Sequence, residues 1–258
     1  MKILFIADIV GKAGIEILKK ELHPFLLTEN IDLVIANSEN AADGFGLTPN
    51  LAAEIFAAGV DVITLGNHTW DKKEIIGILD DKRVVRPLNY PSEDTPGNGF
   101  AIACTKKGIL VGVVSVMGRV FMQPLDCPFR TMDDILPELK QKADVIIVDF
   151  HAEATSEKAA LGWYLDGKVS AVLGTHTHVA TADEKILTNG TAYITDVGFT
   201  GAHDSVIGIK KDAIIKKFLT QMPVKYEVAM GDCFIEGALL EIDETTGKAV
   251  SIQRIKKG

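Results

Sequence analysis

Five times along this chain a short apolar run stops on a residue type able to bind a metal ion. Asp8 follows Ile3 to Ala7, Glu39-Asn40 closely follows Ile31 to Ala36, and Asn67-His68 follows Val60 to Leu65. His151 follows Val145 to Phe150, and Gly174-Thr175-His176-Thr177-His178 follows Val169 to Leu173. In extended chain alternate side chains point the same way, so His176 and His178 project together from one strand end. Two imidazoles on one edge make a poor core but a good pair of metal ligands. Taken singly, Asp8 reads as a helix cap and Glu39-Asn40 as a turn before Asp43-Gly44. Asn67-His68 alone reads as a turn, and His151 alone as a satisfied strand-end histidine. Recurrence at five strand ends reads instead as one site assembled from the whole chain.

The runs alternate with amphipathic stretches in βα order. Ile3 to Ala7 is apolar on both faces, as a buried parallel strand is. Gly11 to Thr28 carries Ile15, Leu18, Leu22, Phe25 and Leu26 at helical spacing. Thr48-Pro49 opens a helix through Ala58 as N-cap and first-turn proline. A helix is also expected from about Trp70 to Leu79. Beyond a Pro/Gly-rich connector, Arg86 to Gly99, strands Phe100 to Thr105 and Ile109 to Val116 form a hairpin at Lys106-Lys107-Gly108. Helices near Met132 to Lys142 and Ser156 to Leu165 separate the next strands. Ile186-Leu187, Ala192 to Thr195, Lys225 to Met230, Cys233 to Ile242 and Val250 to Ile255 read as mostly antiparallel strands. The expectation is one α/β domain over residues 1–258, with two stacked sheets covered by helices. In such sheets sites lie beyond the carboxyl ends of strands, where these polar residues fall.

A net charge of −8 excludes a general nucleic-acid groove, which needs a basic stripe. It leaves room for a phosphate substrate, since two divalent ions place about +4 at one spot. Cys104, Cys127 and Cys233 are odd in number and scattered, which suits a reducing compartment and gives no metal or redox motif. The start of the chain is broken by Asp8 and does not read as a signal peptide. The longest apolar stretch, Ile109 to Met117, is far short of the roughly 20 residues a membrane span needs. A cytoplasmic protein is expected, with oligomeric state left open, a homo-oligomer included.

The candidate ligands are Asp8, Glu39, Asn40, Asn67, His151, His176 and His178. Carboxylate, amide and imidazole without thiolate suit Mn, Fe or Zn in a catalytic rather than a structural role. The set is too large for one transition-metal ion and suits two, roughly 3.5–4 Å apart and bridged by a carboxylate. Glu39, the carboxylate beside another ligand-type residue, is the expected bridge.

Gly66-Asn67-His68, the separate His151 and Gly174-Thr175-His176-Thr177-His178 resemble the calcineurin-like metallophosphoesterases. That superfamily usually opens with Asp-x-His and a Gly-Asp motif, where this chain has Asp8-Ile9-Val10-Gly11 and Asn37-Ser38-Glu39-Asn40. Those departures resemble the YmdB-like branch of bacterial 2′,3′-cyclic-nucleotide phosphodiesterases. The likeness extends through Asp149-Phe150-His151-Ala152-Glu153-Ala154-Thr155-Ser156-Glu157-Lys158 and Tyr193-Ile194-Thr195-Asp196-Val197-Gly198. It implies a four-layer α/β/β/α sandwich and a dinuclear centre, Fe or Mn first and Zn as an alternative. It implies Asp8, Glu39, Asn40 and His178 on one ion, and Glu39, Asn67, His151 and His176 on the other. It also implies attack by a metal-bridging hydroxide, His68 as proton donor, and cleavage of the 2′ bond. The implied partner is a small phosphodiester or cyclic nucleotide, with RNA at most an indirect partner and no membrane.

Three rivals remain at this stage. An amidohydrolase also uses His-x-His, but on its first strand. A non-hydrolytic metal- and nucleotide-binding regulator and a phosphomonoesterase of the same fold are the others. Asp149, Glu153 and Asp196 are candidates to orient the histidines. Arg119 is a candidate phosphate contact or ion-pair former, and His203 is unassigned. His23 reads as surface or packing.

Overall fold

The first strand, β1 (Lys2–Ile6), is apolar on both faces because each face meets a different partner. Ile3 and Phe5 join a cluster with Val111, Val113, Val145, Ile147 and Leu173. Leu4 and Ile6 pack with Leu18, Leu22, Ala52 and Ile55 instead. The period of two sends alternate residues of each strand to opposite sides, so a doubly apolar strand lies inside a stack of layers.

The computed structural model describes residues 1–92 and 94–258; Glu93, within the Arg86 to Gly99 connector, lies outside them. After β1 come β2 (Asp8–Ile9), α1 (Gly11–Glu29), β3 (Leu33–Asn37), α2 (Pro49–Ala57), β4 (Val62–Thr64) and β5 (Val84–Val85). The second series is β6 (Phe100–Cys104), β7 (Leu110–Met117), α3 (Pro128–Lys142), β8 (Val145–His151), α4 (Thr155–Tyr164), β9 (Ala171–Thr175), β10 (Lys185–Ile186) and β11 (Ala192–Ile194). β12 (Phe199–Ala202), α5 (Lys211–Thr220), β13 (Cys233–Ile242) and β14 (Ala249–Lys257) complete it.

One sheet has the order β2-β12-β13-β1-β3-β4-β5, with β14 also paired to β13; the other runs β10-β11-β9-β8-β7-β6. β1, β3, β4 and β5 are mutually parallel, as are β7, β8, β9 and β11. α1 and α2 cover the first sheet, while the outer face of the second packs Met132, Leu136, Leu139 and Leu161 of α3 and α4. This is the expected four-layer sandwich of two mixed sheets between helices. Thr48 caps α2 as expected, its Oγ1 accepting the Leu51 N–H at 3.4 Å ahead of Pro49.

Two expected elements differ. The Trp70 to Leu79 helix is a 3-10 segment, Lys73–Ile78, in which only Ile75 is buried. With Ile75, Ile76, Gly77 and Ile78 in succession, its helix propensity is poor, and little apolar surface compensates. The strand expected at Lys225 to Met230 makes an isolated bridge, Val228 to Ile209. Its partner is the Val206–Ile209 turn, so there is no strand along which a ladder can extend. The last third is antiparallel at β10–β11, β12–β13, β13–β14 and β1–β13, whereas β11 joins β9 in parallel. The β2–β12 pair and α5 were not expected; α5 has helical spacing at Ile214, Ile215, Phe218 and Leu219, but only Ile214 is buried.

Strand parity carries on past the core and turns polar at the carboxyl ends. Asn37, Thr64 and Thr175, in step with Ile35, Val62 and Leu173, surround Asp149 of β8 between the sheets. The Asp149 carboxylate accepts from Thr64 Oγ1 at 2.5 Å, Asn37 Nδ2 at 3.1 Å and Thr175 Oγ1 at 2.7 Å. One buried acid therefore ties β3, β4, β8 and β9 together directly beneath the strand ends that carry the candidate site.

Candidate metal centre

His151 lies at the middle of the site, fully buried at the end of β8. Its imidazole rests on Gly66, where a Cβ would meet His151 Cδ2 at 2.4 Å, so that position accommodates only glycine. The Thr175 hydroxyl donates its proton to Asp149 and thus accepts from His151 Nδ1 at 2.9 Å. That arrangement places a proton on Nδ1 and turns Nε2 toward the cleft. Around Nε2 stand Glu39 Oε1 at 2.9 Å, Asn67 Oδ1 at 2.8 Å and His176 Nδ1 at 3.0 Å. A single Nε2 proton satisfies only one of three such neighbours, whereas a cation attracts every one of these lone pairs. Ligand atoms of Glu39, His151 and His176 all lie within 4.8 Å of one another.

Asp8, Asn40 and His178 gather beside this group. Asn40 donates its Nδ2 to Gly44 O at 2.9 Å, which leaves Oδ1 buried without a hydrogen-bond partner. Asp8 Oδ1 is likewise buried and unpartnered, with His178 Nε2 3.6 Å away. Orphaned buried acceptors carry a desolvation cost of about 1–3 kcal/mol each, which a bound cation would relieve. The donor set thus fits divalent metal ions on its own chemistry. His178 is oriented by the Ile207 carbonyl, 3.0 Å from Nδ1, and His176 by Glu153, whose Oε2 is 3.1 Å from Nε2.

The metal-free electrostatics follow from this crowding. Burial would raise the Asp8 carboxyl, but His178, backed by His151 and His176, brings it down to about 2. Burial would strip the proton from His151, but Glu39, Asp8 and Asp149 raise it to about 9. His176 is pushed down to about 3 by burial and by the charge on His151. Burial, against the pull of His151, lifts Asp149 to about 6.

His68 shares a loop with Asn67 yet faces elsewhere. Its backbone N–H donates to Glu39 Oε2 at 2.9 Å, and its Nδ1 lies 2.7 Å from Asp71 Oδ2. The ring stands edge-on to Phe45 at a centroid distance of 5.0 Å. Nε2 is thereby left for the cleft, a space of about 370 Å³ lined by Glu39, Asn40, His68, His176 and His178 among others. Phe45, Ile207, Phe218 and Tyr226 also line it, with Phe45 and Tyr226 rings near parallel at 6.0 Å.

All eight sequence-derived candidates are therefore in one place. Glu153 orients His176 directly, and Asp149 orients His151 through Thr175. Asp196 differs from expectation, because it holds the backbone and hydroxyl of Thr177 rather than a ring nitrogen. Arg119 is exposed, is not among the cleft-lining residues, and its main-chain N–H binds Glu157 at 3.0 Å. His203 stacks on Phe199 at 4.5 Å, and Phe199 in turn stacks on His178, so His203 is one ring removed from the centre. His23 is exposed on α1. Sequence reasoning missed Asp71, Thr175 and Lys158. Asp71 was signalled by its spacing of three from His68, and Lys158 by occupying the buried stripe of Leu161 and Leu165.

Comparison with known proteins gives the chain's relatives. Residues 4–255 match the YmdB-like protein family. The chain is 48% identical over 256 residues to the 2′,3′-cyclic-nucleotide 2′-phosphodiesterase of Bacillus subtilis (strain 168), covering 99% of this chain and 96% of that one. It superposes on the crystal structure of a hypothetical protein from Thermus thermophilus with a TM-score of 0.92, at 46% identity and 99% and 98% coverage. A novel phosphatase from Mycoplasma pneumoniae gives 0.93 at 35% identity, over 99% of this chain and 92% of that structure. A strand-end cluster of carboxylate, amide and imidazole, on a four-layer sandwich matched across nearly its whole length, makes this chain a member of the YmdB-like family.

Proposed function

We propose that the chain is a dinuclear metal-dependent phosphodiesterase that opens 2′,3′-cyclic nucleotides at the 2′ bond. The observation that carries this reading is the convergence of Glu39, Asn67 and His176 on His151 Nε2, beside the orphaned oxygens of Asp8 and Asn40. Glu39, Asn67, His151 and His176 would hold one ion, and Asp8, Asn40, His178 and the bridging Glu39 the other, with Fe or Mn favoured over Zn. The ions when bound supply an acidified water as nucleophile at neutral pH and neutralise charge on the phosphoryl oxygens.

The chain's own residues do the remainder. Asp71 accepts from Nδ1–H and fixes the His68 ring, so that a second proton, carried on Nε2, would pass to the ester oxygen as it leaves. Glu39 holds the same loop through the His68 N–H, so ligand and acid keep a constant separation. Phe45 adjoins His68 on the leaving-group side, where a nucleoside must lie, and Tyr226 continues that aromatic wall. The 48% identity to a named 2′,3′-cyclic-nucleotide 2′-phosphodiesterase supports the substrate and the bond.

The test is product analysis on 2′,3′-cAMP with Mn²⁺ or Fe²⁺ supplied. The expected product is 3′-AMP, and chelation should abolish its formation. Release of inorganic phosphate from 3′-AMP, with the cyclic ester untouched, would make the protein a phosphomonoesterase. Metal uptake with no turnover of either would make it a regulator.

A further inference from the structure

His176 and His178 both adopt left-handed backbone, with φ of 94° and 59°. Neither is glycine, so this conformation has to be imposed by the surroundings. The surroundings are unusual for a protein interior. Lys158 of α4 is 1% exposed and Asp196 is fully buried, and their charges meet at 2.6 Å. Lys158 Nζ also donates to the carbonyl of Thr175 at 2.7 Å, immediately before the first histidine. Between the two histidines, Thr177 donates to Asp196 Oδ2 through its N–H at 3.1 Å and its Oγ1 at 2.8 Å. The other oxygen of Asp196 accepts from the Gly198 N–H at 2.9 Å, anchoring the acid to the loop after β11. Every polar contact of this ion pair thus grips the segment that carries the two imidazoles or the loop behind it. Neither charge touches substrate space.

We propose that Lys158 and Asp196 are positioning residues that hold the His176-Thr177-His178 segment in its strained, ligand-presenting form before metal arrives. This rests on the reading of the cleft as a metal centre. Without the pair, the segment relaxes toward ordinary backbone, one or both rings leave the cleft, and metal binding must include the cost of reordering them. A merely structural pair would lower thermal stability and leave metal affinity unchanged.

The test measures Mn²⁺ binding to the whole chain, stripped with chelator, by titration calorimetry and Mn²⁺ spin resonance. The variant Lys158→Met/Asp196→Asn removes both charges together, which avoids leaving one buried alone. Its Mn²⁺ affinity should fall about tenfold or more, the usual scale for groups behind metal ligands. Excess Mn²⁺ should restore much of kcat with KM for substrate little changed. Leu161→Ala, in the same helix, is the control: a comparable drop in melting temperature, with affinity within about twofold of wild type. If the double variant does not fold, Thr177→Val decides, and a loss of about threefold, the scale of the one Oγ1 hydrogen bond it removes, is then expected. Wild-type affinity in a folded double variant, or in Thr177→Val where that variant decides, overturns the proposal while the metal reading stands. Failure of the wild-type protein itself to take up Mn²⁺ overturns both.

Discussion

His68 and Asn67 are adjacent, yet their side chains face different partners. Asn67 Oδ1 faces His151 Nε2 at 2.8 Å, whereas His68 is turned toward Asp71 at 2.7 Å. A general acid contributes about 10²–10⁴-fold, so His68→Ala should lose activity on that scale and keep both metals. The loss should be smaller on bis(p-nitrophenyl) phosphate, whose leaving group needs no proton. Equal defects on both substrates would remove His68 from the acid role. Metal uptake has its own signature in His151. Raised to about 9, it is protonated in the metal-free protein at neutral pH, and an ion must displace that proton. Affinity should therefore fall about tenfold for each pH unit below about 9 and level off above it. Calorimetry in buffers of different ionisation enthalpy should find at least one proton released per chain at pH near 7.5, since, against the effect of burial, Asp8 also holds the His178 proton more tightly than usual. A flat pH dependence would show that His151 binds without giving up a proton. The clustering of the candidate ligands was legible in the sequence because each follows an apolar run. Thr175 was not, since its role depends on Asp149 lying across the sheet from it. The Ile207 carbonyl that orients His178 was equally hidden, because any residue could supply it.

Among the elements, the parallel strands were readable because both faces are apolar, and their order placed the polar residues at one edge. The 3-10 segment and the rim around Tyr226 were not, because their conformation depends on neighbours rather than on their own periodicity. What joins the two sheets at the site is also beyond any single run. Asp149 takes hydrogen bonds from β3, β4 and β9 at once. Asp149→Ala should leave Asn37, Thr64 and Thr175 without an acceptor and cost at least about 2 kcal/mol, read from the urea midpoint. It should also loosen His151 through Thr175 and weaken metal binding. Unchanged stability would mean that the cost of burying the acid offsets all three of its hydrogen bonds. The Gly174 position makes the same point by shape, since a Cβ there would meet Thr195 O at 1.7 Å. Gly174→Ala is expected to displace the end of β9, and with it both histidines.

The whole molecule brings strand ends from β1, β3, β4, β8 and β9 to one edge, so its chemistry depends on long-range packing rather than on any local motif. The three cysteines stand apart from that edge, and none is disulfide-bonded. Replacing Cys104, Cys127 and Cys233 together by Ser should leave metal content and turnover intact; loss of metal in a folded triple variant would reveal a missed ligand. No helix among the described residues is long and apolar enough to cross a membrane. On the proposed reading this edge holds two ions bridged by Glu39. Anomalous diffraction from crystals grown with Mn²⁺, recorded on both sides of the Mn absorption edge, would locate them. Two neighbouring peaks roughly 3.5–4 Å apart are expected, one against Asn67, His151 and His176, the other against Asp8, Asn40 and His178, with Glu39 touching both. A single peak, or a pair that Glu39 does not touch, would contradict it.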